Sequence, residues 1–291
     1  MTWKRFEALR WASSFLKKYN RDENIGEILL CSRLGLTRTD LLADIREPLS
    51  DQDAAWLREH IMEHALKGTP AQYMIGQTPF YGRLFKVTPD VLIPRPETEE
   101  LVYRVGVWAK RFFAAGSRLS VCDIGTGSGA IAVTLALEHP EWRVAAVDIS
   151  ANALVIAEEN AKILGAPVLF RKGSLLEPFK GGAFDVLVSN PPYISCLEMG
   201  ELSDTVKNYE PHLALFGGED GLDFYRRILQ ILPAIIGSRP RILLAFEIGA
   251  SQGPAVQALV EQAFPGRIEN LAVEKDLSGR DRNVLAVIEK K

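Results

Sequence analysis

The chain has 291 residues, of which 47% are hydrophobic and 24% are charged, and its formal net charge is −3. A chain of this length and composition can bury a sizeable core and is long enough for about two globular domains. The slight excess of acidic residues argues against a protein that binds the nucleic-acid backbone, because such proteins usually carry basic surfaces.

The first 75 residues are predicted to form a helical domain of four or five helices. Ser50 is placed to cap a helix over residues 54–67, which Gly68 would end, and Thr39 is placed to cap a shorter helix before it. The first helix is indicated by apolar residues at helical spacing, namely Trp3, Phe6, Leu9, Ala12 and Leu16. We therefore expect a helical bundle over residues 1–75.

Residues 76–96 have a different character. Two short β-type runs, at residues 80–87 and 91–93, flank a proline-containing turn and predict a β-hairpin that links two domains. A helix is predicted from about residue 97 to residue 113. Pro96 stands where a first-turn proline is tolerated.

From residue 119 onward, strand and helix patterns alternate, which is typical of a mainly parallel sheet covered by helices on both faces. We predict that residues 97–291 form a Rossmann-like α/β domain with a seven-stranded sheet, whose last two strands form an antiparallel hairpin. The predicted strands are 119–123, 143–147, 167–171, 184–189, 241–247, 267–273 and 283–289. The predicted helices are 128–138, 151–164, 221–236 and 251–263.

A glycine-rich loop joins the first strand of this domain to its first helix. Glycines let a ligand approach the backbone, and the start of the helix offers free N–H groups. Asp148 ends the next strand, where a carboxylate can accept hydrogen bonds from both hydroxyls of a ribose. A tight turn followed by a surface acid would give the same pattern. From the loop alone, a dinucleotide and an S-adenosylmethionine ligand both stay open, since Gly125, Gly127 and Ala130 also satisfy the relaxed dinucleotide pattern.

The segment Asn190-Pro191-Pro192-Tyr193 follows a buried strand and is poorly suited to continuing a sheet, because proline cannot donate a ladder hydrogen bond. The side-chain oxygen of Asn190 and the carbonyl of Pro191 could accept the two hydrogens of a planar NH₂ group, and Tyr193 could form an apolar wall. A proline-rich exit from the strand is the structural alternative. The carboxyl ends of parallel strands meet at one edge of the sheet, where ligands bind. We therefore expect the Asn190–Tyr193 segment and the glycine loop to open into the same crevice.

The chain resembles two nested families. Its Asp123-x-Gly125-x-Gly127-x-Gly129 loop resembles that of class I methyltransferases, and the chain as a whole resembles the HemK-type protein-(glutamine-N5) methyltransferases. This second resemblance covers roughly residues 70–282. It is carried by the strings at 70–76, 80–82, 91–99, 190–194, 216–222 and 247–249.

The resemblance implies a class I S-adenosylmethionine-dependent methyltransferase that methylates the glutamine of the Gly-Gly-Gln motif in peptide chain release factors and releases S-adenosylhomocysteine. The helical domain would dock the release factor, and we expect a monomer. The implied catalytic residues are Asn190, Pro191 and Tyr193. The implied cofactor-binding residues are Gly125, Thr126, Gly127, Ser128, Gly129, Asp148, Ser174, Leu175 and Asn190. The implied substrate-binding residues are Leu92, Arg95, Glu97, Asn190, Pro191, Pro192 and Tyr193.

Several alternatives share parts of this pattern. A glutamine methyltransferase of a ribosomal protein would have the same catalytic domain. An adenine-N6 methyltransferase of nucleic acid shares the four-residue segment but needs a basic track, which the net charge disfavours. A non-catalytic module would be expected to lose the loop glycines or Asn190, and a dehydrogenase leaves the segment unexplained. For Arg95 and Glu97, a solvated ion pair at a helix start is the structural alternative.

Metal, disulfide and membrane signals are weak. The three cysteines are far apart and lack C-x-x-C spacing, so they indicate neither a disulfide framework nor a zinc site. His60 and His64 have a metal-like spacing without a third ligand, so we expect surface groups and no metal. No signal-peptide core and no apolar run of roughly 18 residues occurs, and we expect a cytoplasmic protein without a membrane partner.

Overall fold

The computed structural model describes residues 3–179, 182–235 and 239–289. The chain folds into two compact units. The first runs to Gln77 and also contains Ser203–Tyr209, and the second runs from Thr78 to Leu202 and resumes at Glu210. The segment Ser203–Tyr209, which the sequence analysis placed in the catalytic domain, therefore packs with the helical unit.

The described residues form thirteen α-helices and nine β-strands. The helices are α1 Arg5–Lys18, α2 Ile25–Leu34, α3 Arg38–Ala43, α4 Asp51–Lys67, α5 Ala71–Ile75, α6 Pro96–Phe112, α7 Ala130–Glu138, α8 Ala151–Leu164, α9 Cys196–Glu201, α10 Asp204–Lys207, α11 His212–Leu215, α12 Asp223–Ile235 and α13 Gly253–Ala263. The strands are β1 Gln77–Phe80, β2 Arg83–Lys86, β3 Ser120–Ile124, β4 Arg143–Asp148, β5 Val168–Lys172, β6 Val186–Ser189, β7 Arg241–Glu247, β8 Ile268–Lys275 and β9 Asp281–Glu289. No helix of the described part of the chain is both long and apolar enough to cross a membrane.

The helical unit packs α1, α2 and α4 around a core of leucine, isoleucine and alanine. Ser50 caps α4 by accepting a hydrogen bond from the Asp53 N–H at 3.1 Å, and Gly68 ends the helix at φ +84°. The prediction that Thr39 caps α3 was wrong. Thr37 does so, because its extended backbone lets its hydroxyl accept the Asp40 N–H, whereas Thr39 lies inside the helix.

A charged pair holds the segment Ser203–Tyr209 within the helical unit. Both terminal nitrogens of Arg21 donate to the Asp204 carboxylate, one of them at 2.7 Å. These hydrogen bonds lower the pKa of Asp204 to about 2. The Tyr209 hydroxyl adds a hydrogen bond to the Lys67 carbonyl at 3.0 Å. A guanidinium that donates to both oxygens of a carboxylate, as Arg21 does to Asp204, fixes the relative orientation of the two groups as well as pairing their charges.

The expectation that His64 is a surface group was also wrong. Its side chain is buried, and its Nδ1 lies 2.8 Å from the Thr69 carbonyl, to which an Nδ1–H can donate. Burial lowers its pKa. His64 therefore links the last turn of α4 to the chain that follows the helix.

The second unit is a seven-stranded sheet in the order β5-β4-β3-β6-β7-β9-β8. The pairs among β5, β4, β3, β6 and β7 are parallel, whereas β9 is antiparallel to both β7 and β8. Apolar clusters cover both faces of the sheet. The mainly parallel sheet and its antiparallel closing hairpin are confirmed. The strand order reverses between the neighbours β3 and β6, so a crevice should open at the carboxyl ends of these two strands.

The first hairpin lies earlier than predicted. β1 and β2 are joined by Tyr81 and Gly82, whose φ angles of +50° and +73° suit a tight hairpin turn. Residues 91–93 are not a strand. The N–H and the carbonyl of Lys86 instead bond to the Asn160 side chain of α8, so the end of β2 is satisfied without another strand.

Candidate active site

A cavity of about 310 Å³ opens at the carboxyl ends of β3, β4 and β6. It has the size of a small-molecule site. Its lining includes twelve of the residues singled out from the sequence: Leu92, Arg95, Gly125, Thr126, Gly127, Ser128, Asp148, Ser174, Leu175, Asn190, Pro191 and Pro192. The glycine loop and the Asn-Pro-Pro segment therefore share one crevice. Glu97, Gly129 and Tyr193, also singled out, are not among its lining residues.

The glycines of the loop have different structural roles. Gly125 and Gly127 have φ angles of +74° and +55°, and a Cβ atom on either would meet no atom of the described residues within 4 Å. Their backbone conformation, rather than crowding, favours glycine, and the space in front of them is free for a ligand. At Gly129, a Cβ atom would lie 3.1 Å from the Ala157 Cβ, so this glycine lets the loop approach α8 closely.

Asp148 is built into the loop. One carboxylate oxygen accepts the Gly127 N–H and the other accepts the Ser150 N–H, each at 2.8 Å. Burial raises its pKa. Each oxygen of a carboxylate can accept a second hydrogen bond. Asp148 lines the cavity and can therefore bind two neighbouring hydroxyl groups there.

Asp123 was not among the predicted site residues. It is fully buried, one oxygen accepts the Thr126 hydroxyl at 2.6 Å, and the other has no hydrogen-bond partner in the described part of the chain. Burial raises its pKa to about 7. The signal for it was present, since an acid stands near the end of the strand, two residues before Gly125. Its role is to hold Thr126, which lines the cavity.

A hydrogen bond fixes the NH₂ end of the Asn190 side chain. Its Nδ2 donates to the Thr98 hydroxyl at 3.2 Å, which leaves Oδ1 as the acceptor end of the side chain. Glu247, at the end of β7, lies beside this pair. Burial raises the pKa of Glu247 to about 7, and hydrogen bonds from the Thr98 and Asn190 side chains oppose that rise. Neither Thr98 nor Glu247 was predicted as a site residue.

A second set of contacts fixes the backbone after Asn190. Gln252 Nε2 donates to the Tyr193 carbonyl at 2.9 Å, and the Gly217 N–H donates to the Ile194 carbonyl at 2.9 Å. Gly221, at φ +75°, approaches so closely that a Cβ atom on it would lie 2.3 Å from the Tyr193 carbonyl oxygen. The glycine-rich string at 216–222 is therefore a support for the four-residue segment.

Tyr193 itself packs into the apolar cluster beside β7 and does not line the cavity. Burial raises its pKa to about 12. Its predicted role as an apolar wall for the substrate stays a prediction.

Arg95 lines the cavity and pairs with Glu210, not with Glu97. Its Nη2 lies 2.5 Å from a Glu210 oxygen, and the other Glu210 oxygen accepts the Ile93 N–H at 3.2 Å. Glu210 is buried, whereas Glu97 is exposed. The ion pair therefore anchors the segment before α6, in which Arg95 lines the cavity.

The lining of the cavity includes apolar side chains from the segment after β5 and from α12. Leu175, in the left-handed region at φ +49°, lines it together with Phe224 and Ile228. The Ser174 hydroxyl accepts a hydrogen bond from Arg227 at 3.2 Å. Such surroundings suit a flat aromatic base. Among the described residues, no group of three or more His, Cys, Asp and Glu side chains is placed to hold a metal ion.

Known proteins share this combination of units. Residues 7–76 match the family model of the PrmC N-terminal domain, and residues 109–205 match that of the methyltransferase small domain. The release factor glutamine methyltransferase of Bacillus anthracis is 50% identical over 98% of this chain and 99% of its own. That of Bacillus subtilis (strain 168) is 47% identical over 98% of both chains.

A solved structure is similar as well. The release factor-specific protein-(glutamine-N5) methyltransferase of Alicyclobacillus acidocaldarius is 32% identical, with a TM-score of 0.43, and the match covers 71% of this chain and 100% of that one. Identity near one half over almost the full length is the deciding observation. The chain belongs to the family of release factor glutamine methyltransferases and is an S-adenosylmethionine-dependent methyltransferase.

Proposed function

We propose that the protein methylates the side-chain amide nitrogen, N5, of the glutamine in the Gly-Gly-Gln motif of peptide chain release factors and leaves S-adenosylhomocysteine as the second product. The observation that carries this proposal is the Asn190 amide, whose NH₂ end is held by Thr98 while the residue lines the cavity beside the glycine loop. The names of the Bacillus relatives favour a release factor over a ribosomal protein.

The cavity fits S-adenosylmethionine. Free space lies in front of Gly125 and Gly127, Asp148 can accept hydrogen bonds from a ribose, and Leu175 and Phe224 provide apolar surface for the adenine. When bound, the cofactor supplies a methyl group on a positively charged sulfur, which keeps the C–S electron pair as the new N–C bond forms. Asp148 and the loop would hold it, with Ser174 at its adenine end.

Asn190 and Pro191 would hold the substrate amide. An amide nitrogen is a poor nucleophile because its lone pair is delocalised into the carbonyl. If Asn190 Oδ1 and the Pro191 carbonyl each accept one N–H, they orient the nitrogen and stabilise the positive charge that develops on it. Holding the reacting atoms in near-attack geometry supplies roughly 7–11 kcal/mol in favourable cases. No base is needed beforehand, because the N–H proton becomes acidic as the new bond forms and then leaves to solvent.

Mass spectrometry tests the proposal directly. Purified protein is incubated with release factor and S-adenosylmethionine, and the Gly-Gly-Gln peptide is analysed. We expect a mass gain of one CH₂ group on the glutamine and none in a release factor whose motif glutamine is alanine. Ribosomal protein and DNA serve as parallel substrates. Transfer to either of these, with none to release factor, would contradict the proposal.

Replacing Asp148 with alanine is expected to weaken S-adenosylmethionine binding. The change removes acceptors for the ribose and the support of the Gly127 N–H. Hydrogen bonds to a charged group contribute about 1.5–3 kcal/mol, which corresponds to roughly 10- to 100-fold in Kd. Isothermal titration calorimetry measures the change. Glu158→Ala, which removes an exposed carboxylate from α8, is the control. An unchanged Kd in Asp148→Ala would rule out the ribose assignment.

A further inference from the structure

A buried carboxyl group lies directly behind Asn190. β6 and β7 are parallel neighbours in which Ser189 pairs with Phe246, so Asn190 and Glu247 are the next residues along the two strands. Glu247 is 1% exposed. A carboxyl group buried this deeply is costly unless it has a task or good partners. The proposed methyl transfer assigns no step to it.

The partners of Glu247 are the two side chains that also contact each other. Asn190 Nδ2 donates to the Thr98 hydroxyl at 3.2 Å, and the same two side chains lower the pKa of Glu247 by hydrogen bonding. Thr98 is itself 4% exposed. The second carboxyl oxygen of Glu247 has no hydrogen-bond partner among the described residues. Because the Thr98 hydroxyl accepts an amide hydrogen, its own hydrogen is available to the neighbouring Glu247 carboxylate, so hydrogen bonds can run from the amide to the hydroxyl to the carboxylate.

This direction is imposed by chemistry. An ionised carboxylate only accepts hydrogen bonds, whereas the two ends of an amide differ, one being an acceptor and the other a double donor. If the Asn190 amide turned by about 180°, its oxygen would face the Glu247 carboxylate, acceptor against acceptor, and the single hydrogen of the Thr98 hydroxyl could be donated to only one of the two. Only the orientation with NH₂ toward Glu247 satisfies the network.

We infer that Glu247, acting with Thr98, is a positioning residue that fixes the Asn190 amide with its oxygen toward the substrate. This inference rests on the proposed function, in which the substrate presents an NH₂ group. The turned amide would present its own N–H groups to those of the substrate and could not hold it. Glu247 thus sets the hydrogen-bonding polarity of the site without touching the reacting atoms.

The charged and titratable groups around Glu247 make this arrangement sensitive to pH. Four such groups interact electrostatically with Glu247: Arg282 of β9, Glu97 of α6, Tyr225 of α12, and Tyr193, which follows the two prolines. Burial outweighs the others and raises the pKa of Glu247 to about 7. Below this pH the protonated carboxyl group can donate as well as accept, and it no longer distinguishes the two amide orientations. Methyl transfer should therefore fall as the pH drops through about 7.

A reciprocal exchange of groups gives the sharpest test, at a pH of about 8.5, where Glu247 is ionised. Asn190→Asp places two carboxylates opposite each other and should cut the rate of transfer. Glu247→Gln should cut it as well and should remove the fall near neutral pH, while the Kd for S-adenosylmethionine stays within about twofold. In the double variant, the glutamine NH₂ can donate to the new aspartate, and the rate should exceed the product of the single effects by roughly tenfold.

Two further variants separate positioning from packing. Thr98→Val removes the hydroxyl at nearly constant volume and should reduce kcat, whereas Thr98→Ser keeps the hydroxyl and should retain most of it. The inference is overturned if Glu247→Gln keeps the kcat and pH profile of the parent protein, or if the double variant shows no recovery. Thermal unfolding and cofactor binding establish that each variant is folded.

The amide orientation can also be observed without any substrate. In the ¹⁵N-labelled protein, the Asn190 side-chain NH₂ signals are identified by their absence in Asn190→Ala. We expect these protons to exchange slowly with solvent in the parent protein and at least roughly tenfold faster in Glu247→Gln. Equal exchange rates would overturn the inference. A parent protein that fails to methylate release factor would refute the proposed function but leave this result standing.

Discussion

Replacing Asn190 with alanine is expected to lower methyl transfer to release factor by roughly 10²–10³-fold, the scale seen when one preorganised hydrogen-bonding group is removed from an active site. The variant lacks the side-chain acceptor for the substrate amide. It also leaves the Thr98 hydroxyl without its amide donor, which costs about 1–3 kcal/mol of stability because the Thr98 side chain is buried. The protein should therefore remain folded while it loses activity.

Radiolabelled methyl transfer measures the rate, and circular dichroism with thermal unfolding checks the fold. Asn270→Ala, on the edge strand β8 and outside the cavity lining, is the matched control and should transfer at the parent rate. If Asn190→Ala turns over normally, the assignment of the substrate amide to this side chain is wrong. Binding of S-adenosylmethionine should persist, since the glycine loop and Asp148 are untouched.

Gly221→Ala is expected to destabilise the protein strongly although it adds only one methyl group. The new Cβ atom would lie 2.3 Å from the Tyr193 carbonyl oxygen and 2.5 Å from Gln252 Nε2, and the backbone would have to keep a φ angle of +75°. Either the string at 216–222 or the Asn190–Tyr193 segment would have to shift to make room for the new atom. We expect a loss of roughly 3–5 kcal/mol, a fall of roughly 10 °C in melting temperature, and little methyl transfer.

Two other glycines separate the causes of this effect. Gly35→Ala has a similar φ angle of +64°, and in the described part of the chain no atom lies within 4 Å of the new Cβ, so it reports the cost of backbone conformation alone, about 1–2 kcal/mol. Gly200→Ala, a helical position without close neighbours, should be neutral or slightly stabilising. If Gly221→Ala is as stable as Gly35→Ala, the residues around Gly221 can move aside without loss of stability, and the expectation is wrong.

The elements that the sequence predicts best are those whose local signals agree with their packing. Helix α8 has the predicted bounds, because Ser150 caps it and Gly165 ends it in the left-handed region. The strands of the large sheet were located within a few residues, and the clearest of them, β3, β6 and β7, are apolar runs buried on both faces. The hairpin at β1 and β2 was misplaced because Asn160 satisfies the end of β2, and a contact so distant in sequence leaves no local trace.

The residues of the site also differ in how readily the sequence reveals them. Groups that line the cavity lie in recognisable motifs, since a glycine loop and an asparagine before two prolines are unusual at strand ends. Thr98, which also lines the cavity, and Glu247 lie within the strings at 91–99 and 247–249, but no local pattern marks either as a partner of Asn190. Their effect on Asn190 depends on the register between β6 and β7 and on where α6 begins, and both are set by the assembled sheet. Sequence thus indicates what contacts a ligand more readily than what orients those contacts.

The membership of Ser203–Tyr209 in the helical unit bears on how such proteins can recombine. The unit is assembled from two separate stretches of chain, and Arg21 and Asp204, paired within it, are 183 positions apart. A chimaera that exchanged only the first 77 residues between two relatives would combine an arginine from one parent with an aspartate from the other. The smallest exchangeable module is therefore discontinuous, and the two stretches should be inherited together.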